Sequence, residues 1–304
     1  MRLSKALQGG FVLSRHDDRL SEADTPRGLT DGAPLHIDLT DTDRRIIDLL
    51  VAPSRAWFSP RFYGMENFPE QGPVLLVGNH SLAGGTDAPL LAHEILVQHG
   101  RLVRGLAENV LIDVPGLRDV LHRWGIVRGN RHNCTTLLEQ GEAVAVFPGG
   151  GREAMRGKGQ KYKLLWEGRT GFAKMAIRAG APIVPIAMVG GDDIYDIVFD
   201  GDHPVMLPLR KTVEGLGLRS TLTPPLIRGL GPTLVPKPER FYYSLGTPID
   251  TSPWRDVEDL EAAAGELQAV VKKALEGELD FLLAERDRDR GRSLLGRTLT
   301  RFGL

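Results

Sequence analysis

A histidine and an aspartate lie near each other in a glycine-rich segment of this 304-residue chain. The segment reads GNHSLAGGTD over residues 78–87 and follows the apolar run Val74–Gly78. A histidine beside a carboxylate is a general-base pair, because the carboxylate fixes the imidazole tautomer and stabilises the imidazolium that forms. His80 and Asp87 are therefore candidate catalytic residues. The open alternative is that His80 is a polar strand-end residue and that Asp87 only caps the next helix.

Ser81, in the same segment, is a second candidate for chemistry. A serine nucleophile of the lipase type lies in a G-x-S-x-G turn after a strand. Here Asn79 and Ala83 stand where that motif has glycine. A triad would also need a later histidine, and the last histidine is His203. An esterase that uses Ser81 is thus the weaker alternative.

A second glycine-rich segment, FPGGGRE, covers residues 147–153 and follows the apolar run Ala143–Phe147. Its glycines permit close backbone approach to a ligand and expose N–H groups. Those groups could stabilise an oxyanion or a phosphate. The segment is not a P-loop, since Gly157-Lys158 is followed by glycine. Its candidate binding residues are Gly149, Gly150, Gly151, Arg152 and Glu153.

A third segment, residues 125–134, carries Arg128 and Arg131 after a short apolar strand. Two arginines there could bind an anionic group. The alternative, a solvated helix start, is equally compatible with the spacing. Cys134 is the only cysteine of the chain, which excludes an internal disulfide and suggests a reducing compartment.

The elements that must position these residues alternate between short apolar strands and amphipathic helices. That alternation predicts an α/β fold, a single domain with a mostly parallel central sheet flanked by helices. Leu207–Pro238 interrupts it and is predicted to be a long loop. The predicted strands are Val74–Gly78, Leu102–Ala107, Ile126–Val127, Ala143–Phe147, Pro182–Val189 and Arg240–Leu245; the predicted helices are Arg44–Ala52, Asp87–Gln98, Leu117–Trp124, Asn130–Glu139, Thr170–Ala179 and Asp256–Leu283.

Composition and charge set the wider limits. Hydrophobic residues at 41% and charged residues at 25% are ordinary for a folded chain. A formal net charge of −1 argues against a nucleic-acid partner. No segment approaches the roughly 20 apolar residues of a membrane span. We expect a loosely ordered arm over residues 1–43, a catalytic domain over 44–284 and an arginine-rich tail over 285–304.

The order of these segments is more specific than any one of them. An asparagine–histidine pair with a nearby aspartate precedes a glycine–arginine block, then FPGGxRE, a helix and APIVPI. This order resembles the glycerolipid acyltransferase superfamily over about residues 60–250. Within it the chain is most similar to the branch of diacylglycerol acyltransferase type 2 and transmembrane protein 68. The segments that carry the branch resemblance are PGGGREAM (148–155), YKLLWEGRTGFAKMAIRAGAPIVPI (162–186) and GNRHNC (129–134).

The resemblance implies roles for individual residues. His80 and Asp87 match the catalytic histidine and acid, although six residues separate them here instead of the usual four. Gly149 stands where family members with a phosphate-bearing acceptor typically have glutamate. The resemblance assigns substrate binding to Asn79, Arg128, Arg131, Gly149, Gly150, Gly151, Arg152 and Glu153.

The implied activity is O-acyl transfer from acyl-CoA to a hydroxyl of a glycerolipid or another lipid alcohol. It needs acyl-CoA as co-substrate and no other cofactor or metal. A lysophospholipid acyltransferase is the alternative if Arg128 and Arg131 converge near His80. A lipid-binding pseudoenzyme is the alternative if Asp87 lies far from His80. We expect a cytoplasmic protein, peripherally attached to the inner face of a membrane through Arg44–Tyr63, Leu207–Pro238 or the tail.

Overall fold

A computed structural model describes residues 29–82, 85–114, 116–215, 220, 223–294 and 296–297. Residues 1–28 of the expected arm, Gly84 and residues 298–304 of the expected tail lie outside that range. The helices are α1 (Asp41–Phe58), α2 (Ala88–His99), α3 (Asn109–Ile112), α4 (Leu117–Arg123), α5 (Arg131–Glu139), α6 (Gly151–Ala154), α7 (Gly171–Ala179), α8 (Leu207–Gly215) and α9 (Leu260–Arg288). The strands are β1 (Arg61–Tyr63), β2 (Val74–Gly78), β3 (Val103–Ala107), β4 (Ile126–Arg128), β5 (Ala143–Val146), β6 (Ile183–Val189), β7 (Asp196–Phe199), β8 (Leu226–Arg228) and β9 (Tyr242–Leu245).

A central sheet has the strand order β1-β9-β6-β2-β5-β3-β4. From β6 to β4 all neighbours are parallel, whereas β9 is antiparallel to β6 and parallel to β1. The predicted α/β fold with a mostly parallel sheet is therefore confirmed. Because β2 lies between β5 and β6, the loops that follow these three strands meet at one edge of the sheet. This is the edge at which open α/β sheets place their sites.

Helices cover both faces of the sheet. Apolar side chains of α5, α7 and α9 form one core, and those of α1 and α2 form the other. Every residue of β2 and β6 is buried, which explains why both strands read as continuous apolar runs. Within the described residues, no helix is both long enough and apolar enough to cross a bilayer.

The segment Leu207–Pro238, predicted as one long loop, contains α8 and β8. Pro208 lies in the first turn of α8, where proline is tolerated because its missing N–H would be unpaired anyway. Strand β8 has three residues and pairs antiparallel with β7 outside the central sheet. Elements this short have too little periodicity to be recognised, and tertiary pairing maintains them.

Two boundaries differ from the expected ones. Residues 29–40, expected in a loose arm, are fixed by polar contacts: the buried Arg104 guanidinium donates to the carbonyls of Pro34 and Leu35, at 2.8 Å each. Asp31 accepts the backbone N–H of Arg128 at 2.7 Å. At the other end, α9 continues to Arg288, so the first four residues of the expected tail are helical.

Candidate active site

The His80 side chain lies at the carboxyl edge of the sheet, two residues after β2. Its ring stacks on the ring of Phe147, which follows β5; the centroids are 4.7 Å apart and the planes differ by 13°. The two glycine-rich segments predicted from sequence therefore meet in one place. They meet because β2 and β5 are neighbouring parallel strands, which puts their carboxyl ends side by side.

The surroundings of the His80 imidazole favour its neutral form, which accepts a proton. Burial lowers the pKa of His80 below its ordinary value of 6.5, and the negative charge of Asp87 opposes that shift. Its Nδ1 is buried and has no hydrogen-bond partner among the described residues. A neutral imidazole at the mouth of a glycine-rich turn can act as a general base.

The Asp87 carboxylate is buried and occupied by backbone groups. Oδ1 accepts the N–H of Ala88 at 2.8 Å, and Oδ2 accepts the N–H of Ser81 at 3.3 Å. The Asp87 carbonyl accepts the hydroxyl of Tyr243 at 3.0 Å. Asp87 thus caps α2, as one interpretation of the sequence predicted. Its negative charge also acts on His80. In the described part of the chain, no hydrogen bond joins it to His80 Nδ1.

Ser81 does not have the surroundings of a nucleophile. The residue is 2% exposed, and its hydroxyl has no hydrogen-bond partner within the described residues. A serine nucleophile requires a base within hydrogen-bond reach and access for the substrate. The geometry therefore does not support an esterase built on Ser81.

The main chain that follows β2 is fixed by three buried carboxylates. Their oxygens are occupied by backbone N–H groups, and the described residues contain no cluster of side chains that could hold a metal ion. Each of three consecutive N–H groups donates to a different carboxylate: His80 to Glu153 Oε2 at 2.7 Å, Ser81 to Asp87 Oδ2 at 3.3 Å, and Leu82 to Asp192 Oδ1 at 2.7 Å.

Arg156 joins this group of carboxylates and is itself buried. Its Nη1 lies 2.9 Å from Asp192 Oδ2, and its Nη2 donates to the His80 carbonyl. Neither Arg156 nor Asp192 is among the site residues predicted from the sequence. One signal could have identified Asp192: it comes three residues after a strand that is parallel to β2 and adjacent to it. No comparable local signal marks Arg156.

Two of the predicted binding residues use their side chains for hydrogen bonds within the protein. Glu153 is fully buried; Oε1 accepts the N–H of Leu165 at 2.8 Å while Oε2 holds His80. Burial raises the pKa of Glu153, and the two N–H bonds oppose this. Asn79 forms two hydrogen bonds with the backbone of Met188. Both side chains are thus held by contacts within the chain.

The backbone of the glycine-rich turn requires glycine at two positions. A Cβ on Gly149 would lie 2.0 Å from Glu153 Cδ, so only glycine leaves room for that side chain. Gly150 has φ +50° and donates its N–H to the Phe147 carbonyl at 2.8 Å. That N–H, expected to face an oxyanion, is used inside the turn. Gly151 begins α6.

The predicted arginines have different partners. Arg128 donates to Asp113 Oδ1 at 2.6 Å, and Arg152 pairs with Glu167. Arg131 begins α5. The pKa of Glu261, at the start of α9, is lowered mainly by its hydrogen bond with Lys174, and the charge of Arg131 contributes to the same shift. Arg128 is thus held by Asp113, which follows α3, whereas the charge of Arg131 acts on the start of α9.

Residues 59–189 match the sequence model of the family described as Acyltransferase. The matched range contains His80, Asp87 and the whole glycine-rich turn, in the geometry described above. The chain is a member of the glycerolipid acyltransferase superfamily. The superfamily resemblance expected from the order of the segments is confirmed.

Relatives of this superfamily member differ in length and name. Phytyl ester synthase 2, chloroplastic, from Arabidopsis thaliana is 36% identical over 257 residues, which cover 77% of this chain and 36% of that protein. The Bos taurus protein named DGAT1/2-independent enzyme synthesizing storage lipids is 34% identical over 130 residues, 43% of this chain and 38% of that protein. The chain thus spans little more than a third of these relatives. Among solved structures, a 1-acyl-sn-glycerophosphate acyltransferase from Thermotoga maritima matches with a TM-score of 0.45 and 17% identity over 77% of this chain and 79% of that chain.

Proposed function

We propose that this chain is an O-acyltransferase that moves a fatty acyl group from acyl-CoA to the hydroxyl of a lipid alcohol. The observation that carries the proposal is the His80 site: an imidazole whose pKa is lowered by burial, stacked on the residue that opens the glycine-rich turn. Family membership supports acyl transfer as the reaction class.

In the proposed reaction, His80 removes the proton of the acceptor hydroxyl as the oxygen attacks the thioester carbonyl. The tetrahedral intermediate then collapses, and coenzyme A leaves as a thiolate that takes the proton from His80. The buried charge of Asp87 stabilises the imidazolium in between. General-base assistance of this kind contributes roughly 10²–10⁴ in rate. Backbone N–H groups of the turn other than that of Gly150 are the proposed oxyanion donors.

A neutral alcohol is the proposed acceptor class. The names of the relatives point to phytyl esters and storage lipids, whose acceptor hydroxyls carry no phosphate. Gly149 occupies the position at which phosphate-acceptor members typically have glutamate. Arg128, a candidate anion ligand, is paired with Asp113. These observations favour a long-chain alcohol or an acylglycerol over lysophosphatidate.

Because the acceptor is a lipid, we propose peripheral attachment to the inner face of a membrane through the region 204–235. The chain just before this region contacts a segment next to the site, since Lys158, two residues after Arg156, donates its N–H to Asp200, the residue that follows β7. By contrast, Arg286 and Arg288 of the expected tail form ion pairs within the chain. The large apolar side chains that the region exposes are Val205, Leu207, Leu209, Leu226, Leu230, Leu234 and Val235.

Flotation with vesicles of phosphatidylcholine and phosphatidylglycerol tests this attachment. The double variant Leu230→Ser/Leu234→Ser should lose most of its vesicle binding. The matched control is Leu49→Ser/Leu50→Ser, which changes two exposed leucines of α1, another predicted contact surface. Loss of binding in the α1 variant alone would move the contact surface to that helix.

Release of free coenzyme A tests the activity. Purified protein is incubated with palmitoyl-CoA and with phytol, diacylglycerol, monoacylglycerol or lysophosphatidate in vesicles. We expect release that depends on a neutral acceptor and disappears in His80→Ala. The matched control is His93→Ala, since His93 forms a histidine–carboxylate pair of its own with Asp48, 2.8 Å away. It should lose little activity.

The other outcomes discriminate between functions. Release without any acceptor would indicate a thioesterase. Release only with lysophosphatidate would support the lysophospholipid acyltransferase. Absence of release with every acceptor, together with retained lipid binding, would indicate a lipid-binding pseudoenzyme; the lack of a hydrogen bond between His80 Nδ1 and Asp87 is the observation that favours it.

A further inference from the structure

We propose that Arg156 and Asp192 are positioning residues, which fix the main chain of residues 80–82 and thereby aim the His80 ring at the acceptor hydroxyl. The inference rests on the proposed function, in which His80 is the general base. Neither residue touches the substrate, since each is only 1% exposed. Both act through His80.

The main chain of His80 is held on both sides. Its N–H donates to Glu153 Oε2 at 2.7 Å, and its carbonyl accepts from Arg156 Nη2. The direction of the Cα–Cβ bond is thereby fixed, which leaves the side chain with two torsions. Stacking on Phe147 restricts those torsions. The orientation of the His80 ring therefore depends on the positions of Arg156 and Glu153.

Arg156 contacts each of the loops that follow β2, β5 and β6. Besides the His80 carbonyl, its guanidinium donates to the carbonyls of Glu153 at 2.9 Å and Gln160 at 2.8 Å. It also forms the ion pair with Asp192. A buried guanidinium is tolerated only when it is paired and hydrogen-bonded in this way. Its planar fork reaches several acceptors in fixed directions, which a lysine ammonium does not reproduce.

Asp192 completes the arrangement from the side of β6. Oδ1 accepts the N–H of Leu82 at 2.7 Å, and Oδ2 accepts the N–H of Tyr162 at 2.8 Å. The carboxylate thus connects the loop after β2 with the segment that follows the glycine-rich turn. Burial raises the pKa of Asp192, while Arg156 opposes the rise. The pair forms one unit that spans three strand ends.

The first test compares Arg156→Lys with a closely matched control, Arg104→Lys. Arg104 is also fully buried, and its guanidinium also donates to three backbone carbonyls, those of Gly125, Pro34 and Leu35. It differs in place, because Gly125 precedes β4 and so marks the opposite edge of the sheet. Both variants keep the positive charge and lose the planar guanidinium group with its several fixed donors.

We expect Arg156→Lys to lower kcat at least tenfold with the KM for palmitoyl-CoA within about twofold, because a misplacement of about 1 Å can cost 10²-fold. Arg104→Lys should keep kcat within about twofold. The acid limb of kcat/KM should stay in place in Arg156→Lys, since the charge is retained. In Arg156→Gln it should move to higher pH, because the arginine charge lowers the pKa of His80.

Asp192→Asn is the second variant, and it keeps an oxygen for the Leu82 N–H. Since the Asp192 charge raises the pKa of His80, its removal should move the acid limb to lower pH while kcat falls. If circular dichroism shows that Arg156→Lys does not fold, Asp192→Asn tests the positioning role in its place.

His80→Ala, assayed alongside, separates the two proposals. Full activity in His80→Ala would overturn the proposed function and this inference together. Loss of activity in His80→Ala, with kcat of Arg156→Lys and Asp192→Asn equal to that of Arg104→Lys, would overturn the positioning role alone.

Discussion

Replacement of Asn79 by leucine should destabilise the fold and not merely weaken substrate binding. The Asn79 side chain extends the sheet beyond the last paired residues of β2 and β6, Gly78 and Ile186. Its Nδ2 donates to the Met188 carbonyl at 2.9 Å, and its Oδ1 accepts the Met188 N–H at 2.8 Å. The amide thus replaces the backbone partner that β2 no longer offers.

The size of the effect follows from these two bonds. Leucine has the same branched side-chain shape, although it is larger, and it has no polar atom, so both backbone groups of Met188 would remain buried without a partner. Asn79 is 1% exposed and Met188 is 2% exposed, so bulk water does not reach either group. An unsatisfied buried group costs about 1–3 kcal/mol, which gives about 2–6 kcal/mol for the pair. That is a large part of the about 5–15 kcal/mol that stabilises a typical domain.

Equilibrium unfolding in guanidinium chloride measures this loss. The control is Asn109→Leu at an exposed position at the start of α3, where a surface change should stay within about 0.5 kcal/mol. A loss below about 1 kcal/mol in Asn79→Leu would refute the reasoning. Normal stability combined with a raised KM would instead return Asn79 to substrate binding, as the superfamily resemblance implied.

Other predictions concern single residues of the site and core. Gly149→Ala should lower kcat/KM more than tenfold, because the new Cβ would displace Glu153; Gly171→Ala, whose Cβ would meet nothing nearer than Arg131 Nε at 4.0 Å, is its control. For His80, the acid limb of kcat/KM should be centred below pH 6.5, because burial lowers the pKa of the base; an acid limb centred at or above pH 6.5 would contradict this. Burial raises the pKa of Cys134 to about 12, so a thiol reagent at pH 8 should label it only after unfolding, and rapid labelling of the native protein would disprove it.

Local patterns in the sequence were sufficient to locate the strands that bear the site. The runs before Asn79 and before Pro148 are apolar throughout because both faces of those strands are covered, and burial on both faces leaves a continuous signal. Helix capping by Asp87 is equally local, since its carboxylate binds the N–H of the next residue. Such features depend on neighbours in sequence, so they can be predicted without knowledge of the fold.

Which polar residues are buried, and against what, was decided by the tertiary structure alone. Asn79 binds a strand 109 residues away, and Arg156 holds a carbonyl 76 residues before it. Both contacts exist because β2 lies between β5 and β6, an order that no segment encodes by itself. The same order places the Glu153 carboxylate against the N–H of His80, 73 residues before it. Apolar periodicity and capping act over a few residues, whereas a buried polar group needs a partner that only the packing of the whole chain supplies.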